Sequence, residues 1–183
     1  VGGHAVRAAT RYGDPELREA MVAKDVPGVE VTVVDFDLTR HEDYMFIRLG
    51  STDLLIDATQ RWDASCPVIP NRWLSALAPD AVLLDLACDP YVLDTTPPLV
   101  KGIEGIPQGN LDQFKFSPED PAYEKVPSCC DTTHRRHAVS CYSWPGIYPN
   151  ACMEVYGKQI TPVLRVILER GGLQNIRPND HYF

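Results

Sequence analysis

An aspartate stands just beyond an apolar run in the middle of the chain. Residues 81–87, Ala-Val-Leu-Leu-Asp-Leu-Ala, have the composition of a strand buried on both faces of a parallel sheet. Asp85 lies within this run, whereas Asp89 lies beyond its end. Open α/β sheets bind ligands outside the carboxyl ends of their strands. We therefore expect Asp89 to handle a proton or to orient a substrate.

Two glycines stand at the beginning of a predicted helix of small residues. In a dinucleotide-binding unit, a strand runs into Gly-x-Gly-x-x-Gly, and the last glycine allows the helix to pack closely on the strand. The amides of the helix N-terminus then bind the pyrophosphate. Gly2 fits the last glycine of this motif, so Gly2 and Gly3 are candidate cofactor contacts and the first strand is expected upstream of Val1. An ordinary N-terminus before a helix is the alternative.

An acidic residue follows the first β-branched run. Residues 29–35, Val-Glu-Val-Thr-Val-Val-Asp, predict a strand that ends at Asp35. A carboxylate there accepts hydrogen bonds from the adenosine ribose and repels a 2′-phosphate, which favours NAD over NADP. The separation from Gly2 exceeds the usual roughly 20 residues, so the predicted helix at 15–24 is taken as an insertion. Asp37 is a competitor for this role, and both aspartates are alternatively solvated strand-end residues.

Further apolar runs predict the elements that position these residues. Residues 53–59 resemble 81–87 in composition, and residues 70–77 between them predict a helix. Strand, helix and strand in that order imply a right-handed βαβ crossover. Residues 138–142 predict one more strand. The expected fold is α/β, with a Rossmann-like parallel sheet and flanking helices.

The composition changes after residue 90. Prolines and glycines recur from there to residue 128 and exclude a long regular element, so 90–136 is interpreted as a loop insertion that is functional or mobile. From Asn150, apolar residues recur at helical spacing until Gly171-Gly172. The predicted organisation is a dinucleotide-binding domain over 1–149 and a helix with a tail over 150–183.

Composition and charge exclude several classes of protein. The chain has 183 residues, 44% of them hydrophobic and 23% charged, which is typical of globular proteins. A net charge of -8 argues against nucleic acid as a partner. The sequence contains neither an apolar run that would span a membrane nor the pattern of a signal peptide. We expect a soluble, cytoplasmic protein with reduced thiols.

Soft metal ligands cluster near the end of the proline-rich segment. A zinc site and a Cys-His nucleophile pair are the two alternatives for such a cluster. The spacing matches no familiar zinc motif, and nothing supplies the third group that orients a Cys-His pair, so we expect no metal. The residues are Cys129, Cys130, His134, His137 and Cys141.

Several stretches of the chain occur in the order seen in a known family. They are Thr52 to Thr59, Cys66 to Ile69 continuing through Trp73-Leu74, Ala81 to Asp89, Asp120 to Glu124, His137 to Val139 and Ser143 to Pro149. Taken together, they resemble the C-terminal, NAD-binding domain of the alanine dehydrogenase and pyridine nucleotide transhydrogenase family. The similarity covers most of residues 1–170, and the Ser-Trp-Pro-Gly-Ile-Tyr-Pro stretch resembles the family's Asn-Met-Pro-Gly-Ala-Val-Pro loop.

The resemblance implies hydride transfer between NAD and the α-carbon of an amino acid, with ammonia and a 2-oxo acid as the other products. It implies that Asp89 is the active-site aspartate, and that the helix from about residue 150 packs on a substrate domain that the chain lacks. That domain holds the family's substrate-binding cations and catalytic histidine. By the same resemblance, Gly2 lies at the pyrophosphate, Asp35 at the ribose, Ala58 and Thr59 in the dinucleotide crevice, and Ser143 and Trp144 near the nicotinamide.

Departures from the family's pattern leave other functions open. Ser143 stands where the family commonly has Asn, Asn150 where it has Arg, and Pro90-Tyr91 where it has Gln-Gly. A saccharopine-type or opine-type dehydrogenase is one alternative, and a non-catalytic NAD-binding module is the other. The apolar helix after Asn150 also leaves room for a homo-oligomer interface.

Overall fold

The computed structural model of the chain describes residues 1–10, 15–26 and 28–177. They fall into two compact units, Val1–Tyr142 and Ser143–Phe183. The division lies a few residues before the boundary predicted at residue 149. Each unit is considered by itself below.

The first unit is built on a four-stranded, mostly parallel sheet. Its strands are β1 (Leu54–Asp57), β2 (Val82–Asp85), β3 (Lys115–Phe116) and β4 (His137–Ser140), in the spatial order β1-β2-β4-β3. β1, β2 and β4 run parallel, and β3 pairs antiparallel with β4. The predicted α/β fold with a parallel sheet is confirmed at this level, because three of the apolar runs are strands of one sheet.

Helices flank this sheet to different extents. Among α1 (Gly2–Ala9), α2 (Pro15–Ala23) and α3 (Glu42–Leu49), only α3 has fully buried residues within the described ranges. Met45 and Leu49 of α3 lie four residues apart, so both face the core. The helix predicted at 70–77 is a 3-10 helix, Asn71–Ala76.

The strand predicted at residues 29–35 is wrong. This segment forms no regular secondary structure and pairs with no strand in the described part of the chain. Val29 and Val33 are exposed, and only Val34 packs against the core. β-branched residues favour an extended chain, but a strand also needs a neighbouring edge to satisfy its N–H and C=O groups. Asp35 therefore does not end a strand.

The proline-rich segment contributes to the core of the first unit instead of forming a loop outside it. It contains β3 and a 3-10 helix, Pro121–Lys125, whose Tyr123 is buried. Val68 and Ile69 donate backbone hydrogen bonds to the Gly102 carbonyl. The segment thereby brings Lys101 into the interior. Its buried apolar side chains include Val100, Ile103, Ile106, Phe116 and Tyr123.

The second unit consists mainly of one long helix. α4 (Trp144–Ile147) precedes α5 (Pro149–Glu169), which continues through Pro162 and has no fully buried residue. Gly171, with a φ of 75°, follows the helix end as predicted. None of the described helices combines the length and the apolar character needed to cross a bilayer.

Candidate functional site

The three parallel strands end in a row of polar residues. Asp57 of β1 is the register partner of Asp85 of β2, which is the register partner of Ser140 of β4. All three side chains are buried. Because the carboxyl ends of parallel strands meet at one edge, this polar row (Asp57, Asp85 and Ser140) lies where open α/β sheets bind ligands.

Lys101 supplies the cation that Asp85 requires in the interior. Its Nζ lies 2.8 Å from Asp85 Oδ2, and the two side chains are 1% and 2% exposed. Ser140 Oγ donates to the same oxygen at 3.1 Å. A buried ion pair tolerates its desolvation cost only when its geometry is good and further hydrogen bonds satisfy the charges. Both conditions hold here, so this pair fixes Asp85 firmly.

The same two residues hold the turn that follows β2. Cys88 has a φ of 59°, which is rare for a residue with a side chain, and its N–H donates to Asp85 Oδ1 at 3.1 Å. Lys101 Nζ donates to the Asp89 carbonyl at 2.7 Å. A strained backbone conformation of this kind persists only where surrounding contacts determine it. Asp85 and Lys101 therefore set the position of Asp89.

The carboxylate of Asp89 is ion-paired with Arg61. The Asp89 Oδ2 to Arg61 NH2 distance is 2.8 Å, and the side chains are 27% and 7% exposed. Arg61 also donates to the carbonyls of Cys66 and Val100. This ties the loop after β1 to the turn after β2. Arg61 is a site residue that the sequence patterns did not predict, although it lies only two residues after Thr59.

Asp57 has one satisfied oxygen and one buried oxygen without a partner. Its Oδ1 accepts from Thr59 N at 3.0 Å and from Thr59 Oγ1 at 2.7 Å. Its Oδ2 is buried and has no hydrogen-bond partner among the described residues. Gly102 packs directly on this oxygen, since a Cβ added there would lie 1.9 Å away. Burial outweighs the two hydrogen bonds and raises the pKa of Asp57 above its usual value.

The predicted crevice residues after β1 adjoin the polar row. Ala58 is half-buried and Thr59 is exposed, and both directly follow Asp57. The structure thus brings Asp57, Thr59 and Asp89 to the same sheet edge as Asp85. Their roles toward a cofactor stay predictions.

The residues predicted to contact the pyrophosphate and the ribose do not belong to the strands that form this sheet edge. Gly2 and Gly3 open α1, but a Cβ at either would meet nothing within 4 Å, so close packing on a strand is not what places glycines there. Asp35 accepts a hydrogen bond from the N–H of Phe36 at 2.7 Å, and Asp37 accepts from Leu38 at 2.9 Å. These bonds are local turn contacts. The cofactor roles of Gly2, Gly3 and Asp35 stay predictions.

The remaining candidates lie in other parts of the chain. Ser143 and Trp144 belong to the second unit, Ser143 as the N-cap of α4, and their proximity to a nicotinamide stays a prediction. Cys129 Sγ and Cys130 Sγ lie 4.0 Å apart. Across residues 1–10, 15–26 and 28–177, no three His, Cys, Asp or Glu side chains converge as metal ligands do.

A surface depression of about 520 Å³ is found away from the polar row. It contains none of the predicted site residues. Its walls are polar and largely charged, unlike the mostly apolar lining of a typical ligand pocket, so we assign it no function. It is lined by Arg40, His41, Glu42, Asp43 and Phe46.

Comparisons of the chain with protein-family models, with curated proteins and with solved structures found no match in any of the three.

Proposed function

We propose that the chain forms the dinucleotide-binding part of a NAD-dependent oxidoreductase that interconverts an amino acid and a 2-oxo acid. The main support is the concentration of Asp57, Asp85 and Asp89 at the carboxyl ends of adjacent parallel strands. Dinucleotides bind at this edge in open α/β sheets. The resemblance of the sequence to the alanine dehydrogenase family agrees with this function.

The residues around the polar row fit a nicotinamide ring and its substrate. Thr59 is an exposed residue whose hydroxyl donates to Asp57, and Asp89 offers a partly exposed carboxylate. The charges of Asp85 and Lys101 are paired in the interior. In this proposal Asp89 orients the substrate nitrogen, and Arg61 holds the Asp89 carboxylate in place. NAD, when bound, supplies the hydride acceptor. The chain's own residues bind the cofactor and the substrate, orient them, and move protons.

The cofactor is tested by calorimetric titration of the intact protein with NADH and NADPH. We expect NADH to bind and NADPH to bind more weakly, because Asp35 repels the 2′-phosphate. Asp35→Asn should narrow this difference in affinity, whereas Asp112→Asn, at an exposed position to which no role is assigned, should not. Tight binding of NADPH alone would contradict the role of Asp35. Binding of neither nucleotide would contradict the proposed function as a whole.

The role of Asp89 is tested by amino-acid-dependent formation of NADH. Asp89→Asn keeps the size of the side chain but removes its charge, so we expect kcat to fall roughly 10²-fold to 10⁴-fold. Asp94→Asn, at an exposed position in the same segment, is the matched control. Undiminished activity of Asp89→Asn would remove Asp89 from the reaction. A substrate panel that includes amino acids with a second carboxylate distinguishes the saccharopine-type and opine-type alternatives.

A non-catalytic NAD-binding module is the second candidate function. The observation that favours it is the 2.8 Å ion pair between Asp89 and Arg61, because this pair already gives the Asp89 carboxylate a structural role between the loop after β1 and the turn after β2. This alternative predicts that the intact protein binds NADH but turns over no amino acid or 2-oxo acid. Turnover of any such substrate would exclude it.

A further inference from the structure

In the described part of the chain, the same hydrogen-bonded turn occurs three times, in different surroundings. In each turn, one oxygen of an aspartate accepts from both the backbone N–H and the hydroxyl of the residue two positions further on. The N–H and hydroxyl distances are 3.0 and 2.7 Å for Asp57 with Thr59, 2.9 and 2.5 Å for Asp63 with Ser65, and 2.9 and 2.6 Å for Asp131 with Thr133.

The three turns differ in how far their aspartates are buried. Asp63 and Asp131 are exposed, and the hydrogen bonds of their turns lower the pKa of each carboxyl. Asp57 makes the same two bonds but is only 4% exposed, and burial raises the pKa of its carboxyl. Hydrogen bonds to an anion favour the charged form, whereas burial disfavours it. The environment of Asp57, and not its turn, therefore makes it a stronger base.

Nearby charges do not compensate the buried position of Asp57. The carboxylates of Asp85 and Asp89 both disfavour a further negative charge there. The cations near these two carboxylates are paired with them and not with Asp57. Lys101 contacts Asp85 and the Asp89 carbonyl, and Arg61 pairs with Asp89. Gly102 packs on the unpartnered Oδ2 and closes that side. Thr59 is the only described residue that forms hydrogen bonds to the Asp57 side chain, and it is exposed.

We propose that Asp57 and Thr59 form a proton relay, in which the buried carboxylate takes up the proton that the substrate ammonium group loses before hydride transfer. This inference rests on the proposed dehydrogenase function. The ammonium N–H bond breaks as an O–H bond forms on Thr59 Oγ1. The original hydroxyl proton moves along the 2.7 Å bond to Asp57 Oδ1. The resulting amine then gives its α-hydride to NAD and becomes an iminium, and water releases ammonium and the 2-oxo acid.

The protonation of Asp57 is tested first, without any cofactor or substrate. Infrared difference spectra of the intact protein are recorded over a pH titration. We expect the carbonyl stretch of a protonated carboxylic acid to persist at pH values where exposed carboxyls are ionised. Asp57→Asn should remove this band, whereas Asp63→Asn, in the matched exposed turn, should leave it. A wild-type spectrum without the band overturns the inference, whatever the function of the protein is.

The relay itself is tested by the pH profile of kcat/KM. Asp57→Asn is isosteric with the neutral acid, so the fold is expected to survive while kcat/KM falls roughly 10²-fold to 10⁴-fold and the acidic limb disappears. Thr59→Val should have the same effect, and Thr59→Ser should restore the acidic limb. If wild type and Asp57→Asn have the same profile, the relay is overturned and the dehydrogenase stands. If the wild type turns over no substrate, the proposed function fails with the relay, although the infrared band remains.

Discussion

At the scale of single residues, the Asp85–Lys101 ion pair is the contact on which the site depends most. Lys101→Met keeps most of the apolar stem but leaves the Asp85 carboxylate buried without its cation. We expect the free energy of unfolding to fall by about 3–5 kcal/mol, measured by urea denaturation. The double variant Asp85→Leu with Lys101→Met should recover much of this loss, because both desolvated charges are then absent.

An exposed ion pair provides the control for this prediction. Lys158 and Glu154 lie 2.7 Å apart on α5, and their side chains are 74% and 69% exposed. Lys158→Met should change the free energy of unfolding by no more than about 0.5 kcal/mol, since water screens such a pair. Equal losses in Lys101→Met and Lys158→Met would contradict the importance assigned to burial. The same assignment would be contradicted if the losses in free energy of unfolding caused by Asp85→Leu and Lys101→Met were strictly additive in the double variant.

The residues of the site differ in how far sequence could predict them. Asp89 was predictable because its place beyond an apolar run follows from local composition. The sequence also contains a signal for Asp57 and Asp85, since both lie within apolar runs and a buried acid requires a partner. Their partners were not predictable, because Lys101 stands in a segment without periodicity and pairs across 16 positions. Arg61 reaches Asp89 through tertiary contacts that spacing does not encode.

At the scale of elements, the packing of the proline-rich segment against β4 depends on Gly109. A Cβ at this position would lie 1.7 Å from the backbone carbonyl oxygen of Ser140. Gly109→Ala therefore forces the segment away from the end of β4, and we expect it to lower the free energy of unfolding by roughly 1–3 kcal/mol. Chemical denaturation of the intact protein measures this loss.

A glycine in a helix provides a comparison in which an added methyl group meets no neighbouring atom, so that only the helix propensity changes. A Cβ at Gly157 of α5 would meet nothing within 4 Å. Gly157→Ala should therefore stabilise the helix by about 1 kcal/mol, because alanine has the higher helix propensity. Loss of stability in Gly157→Ala, or none in Gly109→Ala, would contradict the packing described for the two positions.

The elements were predictable where their own composition decides the outcome. β1, β2 and β4 follow from short apolar runs, and α5 follows from helical spacing ended by glycine. The segment at 29–35 is richer in β-branched residues than β1 or β2 but pairs with no strand in the described structure, and pairing cannot be deduced from composition alone. β3 has only two residues, too few for any period. Its pairing with β4 depends on the tertiary fold.

At the scale of the whole molecule, charge and burial act on stability in opposite directions. The hydrogen bonds of their turns lower the pKa of the exposed carboxyls of Asp63 and Asp131, so these two groups favour the folded state when they are ionised. Asp57 is the exception that burial creates. Some carboxyls therefore raise the free energy of unfolding as pH rises, whereas Asp57 lowers it. Isosteric Asp→Asn variants can separate these contributions.

The last prediction compares Asp57→Asn with Asp63→Asn in the two matched turns. Folding raises the pKa of Asp57 above its usual value of 3.8, so its contribution to stability is present below that value and is lost as pH rises through the folded pKa. Folding lowers the pKa of Asp63, so its contribution is present above 3.8 and is lost as pH falls through the folded pKa. Relative to wild type, Asp57→Asn should gain stability with rising pH, and Asp63→Asn should lose it. Urea denaturation across the acidic range measures both differences, and curves of the same sign would show that Asp57 is not held neutral by burial.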